Sequence, residues 1–146
     1  MSLPPGSESI ADDELLYRRI PVSKNWYSND GLSPEAFDPR DDETTGISFY
    51  RAKYVTIEQA ARGLSKKGYY VASFRASDLA ANGIIVVPRP EADDPGHAEL
   101  PDLRFDNREA DEALGLKHLL AELPESVKGP FIPQPQRPPP GLADSA

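Results

Sequence analysis

The segment Ile47-Ser48-Phe49-Tyr50-Arg51-Ala52-Lys53-Tyr54 is the most strand-like part of this 146-residue chain. It is rich in β-branched and aromatic residues, which favour a strand. Shortly after it, Thr56-Ile57-Glu58-Gln59 has the pattern of a capping box, in which two side chains satisfy the free amides at the start of a helix. The sequence therefore predicts a strand over residues 47–54 followed directly by a helix.

The helix predicted after this strand has one apolar face. Four residues recur at the spacing that places side chains on one side of a helix: Ile57, Ala60, Ala61 and Leu64. Gly68 then suits the left-handed backbone conformation with which many helices end. We therefore expect a helix that packs on the core through these four side chains and ends near residue 68.

The remaining segments alternate between strand and helix patterns. Strands are predicted at residues 14–20, 69–74, 84–87 and 97–100, and a short capped helix at residues 77–83. A second capping box, Asp106-Asn107-Arg108-Glu109, is expected to open a helix that ends at Pro124, with a core face made of Ala113, Leu116, Leu120 and Leu123. Together these patterns predict an α+β fold: one small domain over residues 13–123, with a mixed sheet of about four to five strands and two or three helices.

Both ends of the chain differ in composition from its middle. Residues 1–12 contain Pro, Gly and Ser without periodicity and are predicted to be disordered. Residues 124–146 hold 7 of the 16 prolines and are predicted to form an extended tail. This tail contains the spacings Pro130-x-x-Pro133 and Pro135-x-x-Pro138, which SH3-like grooves accept, although such spacings also occur in tails that bind no partner.

Composition argues against several classes of function. The absence of cysteine excludes disulfides, thiolate zinc sites and cysteine nucleophiles. The net charge of −8 argues against a general nucleic-acid-binding protein. Residues 47–90 nevertheless carry 2 acidic and 7 basic side chains, which either form a basic face for an anionic ligand or are neutralised by acidic flanks. No segment approaches the roughly 18 apolar residues of a membrane span and no signal-peptide pattern occurs, so a soluble, cytoplasmic protein is expected.

A ligand site is predicted around the turn that precedes the strand at residues 47–54. Asn29-Asp30-Gly31 is a tight-turn signal, and Ser33-Pro34 is a favourable helix start whose free amides attract an anion. Arginine is the residue suited to bidentate recognition of phosphate or carboxylate. The predicted ligand-binding residues are Arg18, Arg19, Asp30, Ser33, Ser48, Tyr50 and Arg51. In the alternative interpretation, Ser33 only caps the helix and the arginines pair with Asp38, Asp41, Asp42 and Glu43.

His97 and Glu99 are the candidate catalytic residues. Asp93-Asp94-Pro95-Gly96 place His97 after a turn and beside carboxylates, which orient an imidazole for general-base chemistry. The alternative is a turn histidine that is exposed or satisfies a carbonyl. His118 lies within the last predicted helix and is expected at the boundary between core and surface. The spacing of Asp93, Asp94, His97 and Glu99 matches no established metal loop, so no metal site is predicted. Neither a Gly-x-Ser-x-Gly elbow nor a phosphate-binding glycine loop occurs, so neither a serine nucleophile nor a cofactor is predicted.

Four short motifs resemble those of a group of small bacterial proteins of unassigned function. The motifs are Leu16-Tyr17-Arg18-Arg19-Ile20, Asp30-Gly31-x-Ser33-x-x-Ala36-Phe37, Gly46-Ile47-Ser48-x-Tyr50-Arg51 and Pro95-Gly96-His97-Ala98-Glu99-Leu100. The resemblance covers residues 14–100 and implies no activity, since none is established for the group. Leu32 stands where the group usually has an arginine, so the resemblance implies no basic group in that turn.

Two functional hypotheses follow from these observations. The first is a small binding or accessory module, of the toxin–antitoxin or phage-defence kind, whose acidic surface and proline-rich tail engage a protein partner. The second is an enzyme that acts on a nucleotide-like anion, because an arginine on the first strand and a hydroxyl on a later strand resemble the general layout of ADP-ribosyltransferases. That resemblance implies that Arg18 binds a pyrophosphate, that Tyr50 stacks on a base, and that His97 or Glu99 assists the chemistry. The sequence leaves the oligomeric state open.

Overall fold

Segments with alternating side chains build a six-stranded antiparallel sheet in the computed structural model, which describes residues 3–133. In chain order the strands are β1 (Leu15–Pro21), β2 (Tyr27–Ser28), β3 (Gly31–Leu32), β4 (Ile47–Arg51), β5 (Tyr69–Arg75), β6 (Val87–Pro88), β7 (His97–Leu100) and β8 (Ser126–Phe131). The large sheet has the order β6-β7-β4-β1-β5-β8, and β2 pairs with β3 in a separate hairpin. Every pairing within residues 3–133 is antiparallel.

The predicted α+β class is confirmed, but the predicted mixed sheet of four to five strands is wrong. Strands β2 and β3 have only two residues each, too few to show alternation in the sequence. Strand β8 lies in the segment that the sequence analysis assigned to the proline-rich tail. Pro130 is compatible with it because β8 is an edge strand, which does not need an amide donor on its outer side. The domain thus continues through Phe131, whereas residues 134–146 of the predicted tail lie outside the described residues.

Within the described residues, three α-helices accompany the sheet: α1 (Ile57–Ala60), α2 (Ala76–Ala81) and α3 (Asp111–Glu122). Single turns of 3₁₀ helix occur at Val22–Lys24, Pro34–Phe37 and Phe105–Asn107. No helix within residues 3–133 has both the length and the apolar character needed to cross a membrane.

The predicted capping box at Thr56 is present, but the helix it starts is shorter than predicted. The Thr56 hydroxyl accepts the Gln59 amide at 3.1 Å, and the Gln59 side chain accepts the Thr56 amide at 2.8 Å. Helix α1 then ends after about one turn, and Leu64 is 99% exposed instead of facing the core. The chain turns at Gly63 against the Tyr69 ring, where a Cβ atom would lie only 2.4 Å from the phenol oxygen.

Three further boundaries differ from the predictions. Strand β4 ends at Arg51 and not at residue 54, because the chain turns there and the Tyr54 amide donates to the Arg51 carbonyl at 2.9 Å. Helix α3 begins at Asp111 rather than at residue 107, because the Asn107 side chain instead caps a 3₁₀ turn by accepting the Arg104 amide at 2.8 Å. Strand β6 has two residues and overlaps the strand predicted at residues 84–87 only at Val87, and Ile85 is exposed. A short apolar run predicts burial poorly when a loop, and not hydrogen-bonded pairing between strands, determines its position.

The hydrophobic core lies between one face of the sheet and helix α3. The rings of Phe37 and Phe74 meet edge to face with centroids 5.9 Å apart, and those of Phe49 and Phe74 do so at 5.7 Å. From α3, Ala113 and Leu120 are buried in this core, as predicted. Burial of one sheet face leaves the opposite face free to carry polar side chains.

An arginine on the core side of β4 anchors the start of the chain. Alternation along β4 turns Ser48 and Tyr50 to one face and Arg51 to the other. The fully buried Arg51 guanidinium donates hydrogen bonds to five acceptors: the carbonyls of Gly6 (3.0 Å), Glu8 (2.9 Å) and Ser9 (3.3 Å) and both carboxylate oxygens of Glu14 (3.0 and 2.7 Å). The part of the predicted disordered segment that the structure describes, residues 3–12, is therefore held against the domain by a buried cation.

The substitution Arg51→Met tests this anchor. It should lower the free energy of unfolding by about 3–5 kcal/mol, because Glu14 and three carbonyls would remain in place without their cation. Urea unfolding followed by the fluorescence of the single tryptophan, Trp26, measures the change. Lys53→Met is the matched control: its half-exposed ammonium lies 3.8 Å from Glu8, so the change should be within about 0.5 kcal/mol. Equally small effects of both substitutions would contradict the anchoring role.

Candidate functional site

The candidate site opens where β1 and β4 separate. The last pair that these neighbouring strands form is Tyr17 opposite Tyr50. The same register, continued by two residues, would place Arg19 opposite Ser48, and their backbone groups would exchange hydrogen bonds as in an antiparallel ladder. Because the pairing stops first, Ser48 needs other partners for its amide and carbonyl on this side.

An ion pair between Arg18 and Glu43 supplies these partners. Glu43 Oε2 accepts the Ser48 amide at 2.6 Å, and Arg18 Nη1 donates to the Ser48 carbonyl at 3.1 Å. The same two side chains meet at 3.0 Å, with only 10% and 7% of their surfaces exposed. The remaining guanidinium nitrogens of Arg18 donate to the Ala36 carbonyl at 3.4 Å. The ion pair thus takes the place of one rung of the β1–β4 ladder and fills the gap between the strands.

A cavity of about 220 Å³ lies beside this ion pair. Six of the side chains that line it are Arg18, Arg19, Trp26, Ser48, Tyr50 and His97. All of these except Trp26 belong to the site predicted from the sequence. These five residues come from β1, β4 and β7, which are adjacent because the sheet order places β4 between the other two strands.

Ser48 and His97 form a hydrogen-bonded pair on the cavity side of the sheet. Ser48 Oγ lies 3.1 Å from His97 Nε2, and His97 Nδ1 lies 3.0 Å from the Arg89 carbonyl oxygen. Because a carbonyl only accepts hydrogen bonds, Nδ1 carries the ring proton in this arrangement. In the neutral ring Nε2 is then an acceptor, and the Ser48 hydroxyl donates to it. Glu91 Oε1 lies 3.3 Å from Nδ1, so a carboxylate stands behind the ring.

Carboxylates outnumber arginines around the cavity. The charged side chains that line it are Arg18, Arg19, Arg40, Asp38, Asp42, Glu43, Glu91 and Asp94. Glu43 pairs with Arg18, and Asp38 lies 3.0 Å from the Lys117 ammonium. Within residues 3–133, no hydrogen bond or ion pair engages the side chains of Arg40, Asp42 or Asp94. The cavity therefore offers a ligand the Arg40 guanidinium and at least two carboxylates that no side chain of the described residues engages.

Two predicted ligand residues, Asp30 and Ser33, lie away from this cavity. Asp30 is in the turn of the β2–β3 hairpin, where its amide donates to the Ser28 hydroxyl at 3.2 Å. The Ser33 hydroxyl accepts the Glu35 amide at 3.2 Å and so caps the 3₁₀ turn Pro34–Phe37. The capping role of Ser33 that the sequence offered as an alternative is the one the structure shows.

Arg51 and Glu99 are also outside the cavity lining. Arg51 faces the core on the other side of the sheet, where the start of the chain occupies all its donor nitrogens. Glu99 lies on β7 two residues after His97, but it accepts the Thr45 hydroxyl at 2.8 Å and lies 3.4 Å from Arg89. The geometry thus assembles Arg18, Arg19, Ser48, Tyr50 and His97, and separates the other four predicted residues from them.

The partners that hold this site together were not predictable from the sequence. Glu43 was predicted only as one of four acids that pair with the arginines, because the choice depends on where β1 and β4 stop pairing. His97 was predicted beside Asp93 and Asp94, whereas its ring contacts the Ser48 hydroxyl, the Arg89 carbonyl and Glu91. Within the described part of the chain, no group of three or more His, Asp or Glu side chains is arranged to hold a metal ion.

Comparison with family models, with curated proteins and with solved structures gives no match for this chain. The likeness to small bacterial proteins in the four motifs stays a prediction. We therefore infer function from the geometry of this cavity, the cleft between β1 and β4.

The ionisation of Glu43 determines how the stability contributed by the Arg18–Glu43 ion pair depends on pH. Burial acts to raise the pKa of Glu43, but the Arg18 charge together with hydrogen bonds from Arg18 and from the Arg40 and Ser48 amides outweighs it, so the pKa is lowered from its ordinary 4.5. A carboxyl whose pKa is lowered by folding stabilises the protein above the unfolded pKa, and this stabilisation is lost as the pH falls through the folded pKa. The stability difference between wild type and Glu43→Gln should therefore be largest near neutral pH and shrink below 4.5.

Urea unfolding at several pH values between neutral and acid measures this difference. Glu125→Gln is the control, since Glu125 forms an exposed pair with Arg75 at 3.1 Å and should contribute less than about 1 kcal/mol. A stability difference for Glu43→Gln that stays constant down to acid pH would contradict the proposed ionised pair.

Proposed function

We propose that the protein binds a small nucleotide-like ligand, with one planar ring and one anionic group, in the cleft between β1 and β4. The observation that carries this proposal is the convergence of Arg18, Arg19, Ser48, Tyr50 and His97 on one cavity. Concave sites with a few converging polar groups and aromatic walls are the usual form of small-molecule sites. The sequence hypothesis of an enzyme acting on a nucleotide-like anion is the one this convergence supports.

The aromatic side chains of the cleft supply surfaces for a planar ring. Trp26 lies in the lining, where its indole N–H donates to Glu35 at 3.2 Å and fixes the orientation of the ring. The Tyr50 ring lies under the Arg19 guanidinium, whose central carbon is 5.6 Å from the ring centroid. A base that enters the cleft would therefore find flat stacking surfaces on Trp26 and on the Tyr50–Arg19 pair.

Arg40 is the cation best placed for the anionic group. The donors of Arg18 are already used by Glu43, Ser48 and Ala36, so Arg18 shapes the cleft instead of binding a phosphate. Arg19 donates to the Arg62 carbonyl. Arg40 has an exposed side chain in the lining and is thus the guanidinium available for a bidentate contact.

Size and charge limit the ligand. The volume of about 220 Å³ is below the range of about 300–1,000 Å³ that holds drug-sized molecules, so the cavity fits one ring and one anionic group. Asp42 and Asp94 would repel further negative charges. A nucleoside monophosphate therefore fits the site better than a triphosphate.

The accessory module that engages a protein partner stays a prediction of the sequence. Its proline-rich tail lies largely outside the described residues. In contrast, the cleft offers a ligand test that needs no partner.

Thermal unfolding with AMP, NAD or ATP tests the ligand class. A ligand at about ten times its Kd adds close to 1.4 kcal/mol of stability, which for a domain of this size raises Tm by about 3 °C or more. We expect AMP to raise Tm, and ATP to raise it less at equal concentration because of the carboxylates. Arg40→Gln should abolish the AMP shift, whereas Arg75→Gln, which changes an exposed arginine in a pair with Glu125, should keep it.

Three results would contradict the proposal. Absence of a shift with AMP would contradict the proposed nucleoside monophosphate. A larger shift with ATP than with AMP would overturn the charge argument. An unchanged AMP shift in Arg40→Gln would place the ligand elsewhere.

A further inference from the structure

We propose that Ser48 is a nucleophile and His97 its general base, in an acyl-transfer site that hydrolyses small carboxylic esters. This inference goes beyond the proposed ligand and does not depend on it, because it needs only the Ser48–His97 pair and the open cavity. A serine nucleophile is not predicted from the sequence, since Ser48 lies outside any nucleophile elbow, whereas His97 is predicted as a general base.

Sheet register explains how the pair forms without an elbow. On neighbouring antiparallel strands, Tyr50 lies opposite His97 and Ser48 lies opposite Glu99. Ser48 and His97 are therefore diagonal neighbours on the same face of the sheet, within reach of each other's side chains. A serine in a regular strand thus reaches a histidine through pairing between strands rather than through a strained turn.

The ring of His97 is oriented as a base requires. Nδ1 donates to the Arg89 carbonyl at 3.0 Å, which leaves Nε2 as the acceptor for the Ser48 hydroxyl at 3.1 Å. The Tyr50 ring meets the imidazole edge to face at 6.2 Å and limits its rotation. Glu91 lies 3.3 Å from Nδ1, where its negative charge would stabilise the imidazolium that forms when Nε2 takes a proton. Ser48, His97 and the acceptors at Nδ1 are thus arranged as nucleophile, general base and orienting group, the arrangement found around activated serines.

The backbone of Ser48 is fixed while its side chain faces the cavity. Glu43 accepts its amide at 2.6 Å and Arg18 donates to its carbonyl at 3.1 Å. Both partners are buried, and they contact Ser48 from the β1 side of β4, which is opposite to β7. Rigid placement of a nucleophile within hydrogen-bonding distance of its base lowers the entropic part of the barrier.

The proposed reaction has two steps. In the first, Ser48 Oγ bonds to the carbonyl carbon of the ester, His97 Nε2 takes the hydroxyl proton, and the carbon–oxygen bond to the alcohol breaks as the alcohol leaves with that proton. In the second, water bonds to the acyl carbon and gives a proton to Nε2, the bond to Oγ breaks, and Oγ takes the proton back. The products are one acid and one alcohol, and both side chains return to their starting state.

A small fluorophosphonate probe tests the nucleophile directly. Attack by Ser48 Oγ forms a phosphorus–oxygen bond and releases fluoride, and intact-mass measurement with peptide mapping locates the adduct. We expect one adduct, on Ser48, in the wild type. Ser48→Ala should remove it, and His97→Gln should slow its formation by about 10²–10⁴-fold, because glutamine cannot take the proton.

Matched variants distinguish this result from surface reactivity. Ser23→Ala removes an exposed serine and His118→Gln an exposed histidine, and both should keep the wild-type labelling rate. Release of nitrophenolate from p-nitrophenyl acetate should follow the same order across the variants, and thermal unfolding confirms that each variant folds.

An unlabelled wild type, or an adduct that persists in Ser48→Ala, would overturn the proposal. The AMP shift in Ser48→Ala is an independent measurement: if labelling fails and the shift remains, the cleft binds a ligand without this chemistry. If labelling succeeds and no shift occurs, the nucleotide-like ligand is wrong and the nucleophile stands.

Discussion

The buried ion pair between Arg18 and Glu43 is the interaction on which the site depends. A regular sheet would continue the β1–β4 ladder past Tyr17 and leave no cavity between the two strands. Instead, a guanidinium and a carboxylate take over the hydrogen bonds of the Ser48 backbone. Removal of either partner would leave a buried charge uncompensated, which is far more costly than loss of an exposed pair. The cleft thus exists because two charged side chains replace one rung of backbone pairing.

A second buried arginine supports the other wall of the cleft. Arg51 holds the segment around Gly6, and Gly6 packs so closely on Pro95 that an added Cβ would lie 1.8 Å from its carbonyl oxygen. The turn before Pro95 carries Glu91, which stands behind the His97 ring. The start of the chain therefore packs against the turn that orients the His97 ring. This turn, at residues 91–95, links the core side of β4 to its cavity side.

Local sequence patterns predicted the elements of this fold better than its contacts. Alternation located β1, β4, β5 and β7, and the capping box at Thr56 is present, because these features depend on neighbouring residues alone. The brevity of α1 depends on the approach of Gly63 to Tyr69, and β8 depends on pairing with β5, so neither was visible in a local window. Five of the nine predicted site residues converge, because alternation placed Ser48 and Tyr50 on one face. The role of Glu43 was not predictable, since it follows from where two strands stop pairing.

Amide hydrogen exchange at Ser48 tests the central claim most directly. The Ser48 amide donates to Glu43, whereas the Arg51 amide on the same strand donates to the Gly96 carbonyl at 2.8 Å and serves as an internal reference. If the ion pair replaces the ladder rung, Glu43→Ala should speed exchange at Ser48 relative to Arg51 by at least about tenfold, through local loss of protection. Equal protection of Ser48 relative to Arg51 in both proteins would show that β1, and not Glu43, holds the strand, and would contradict the account.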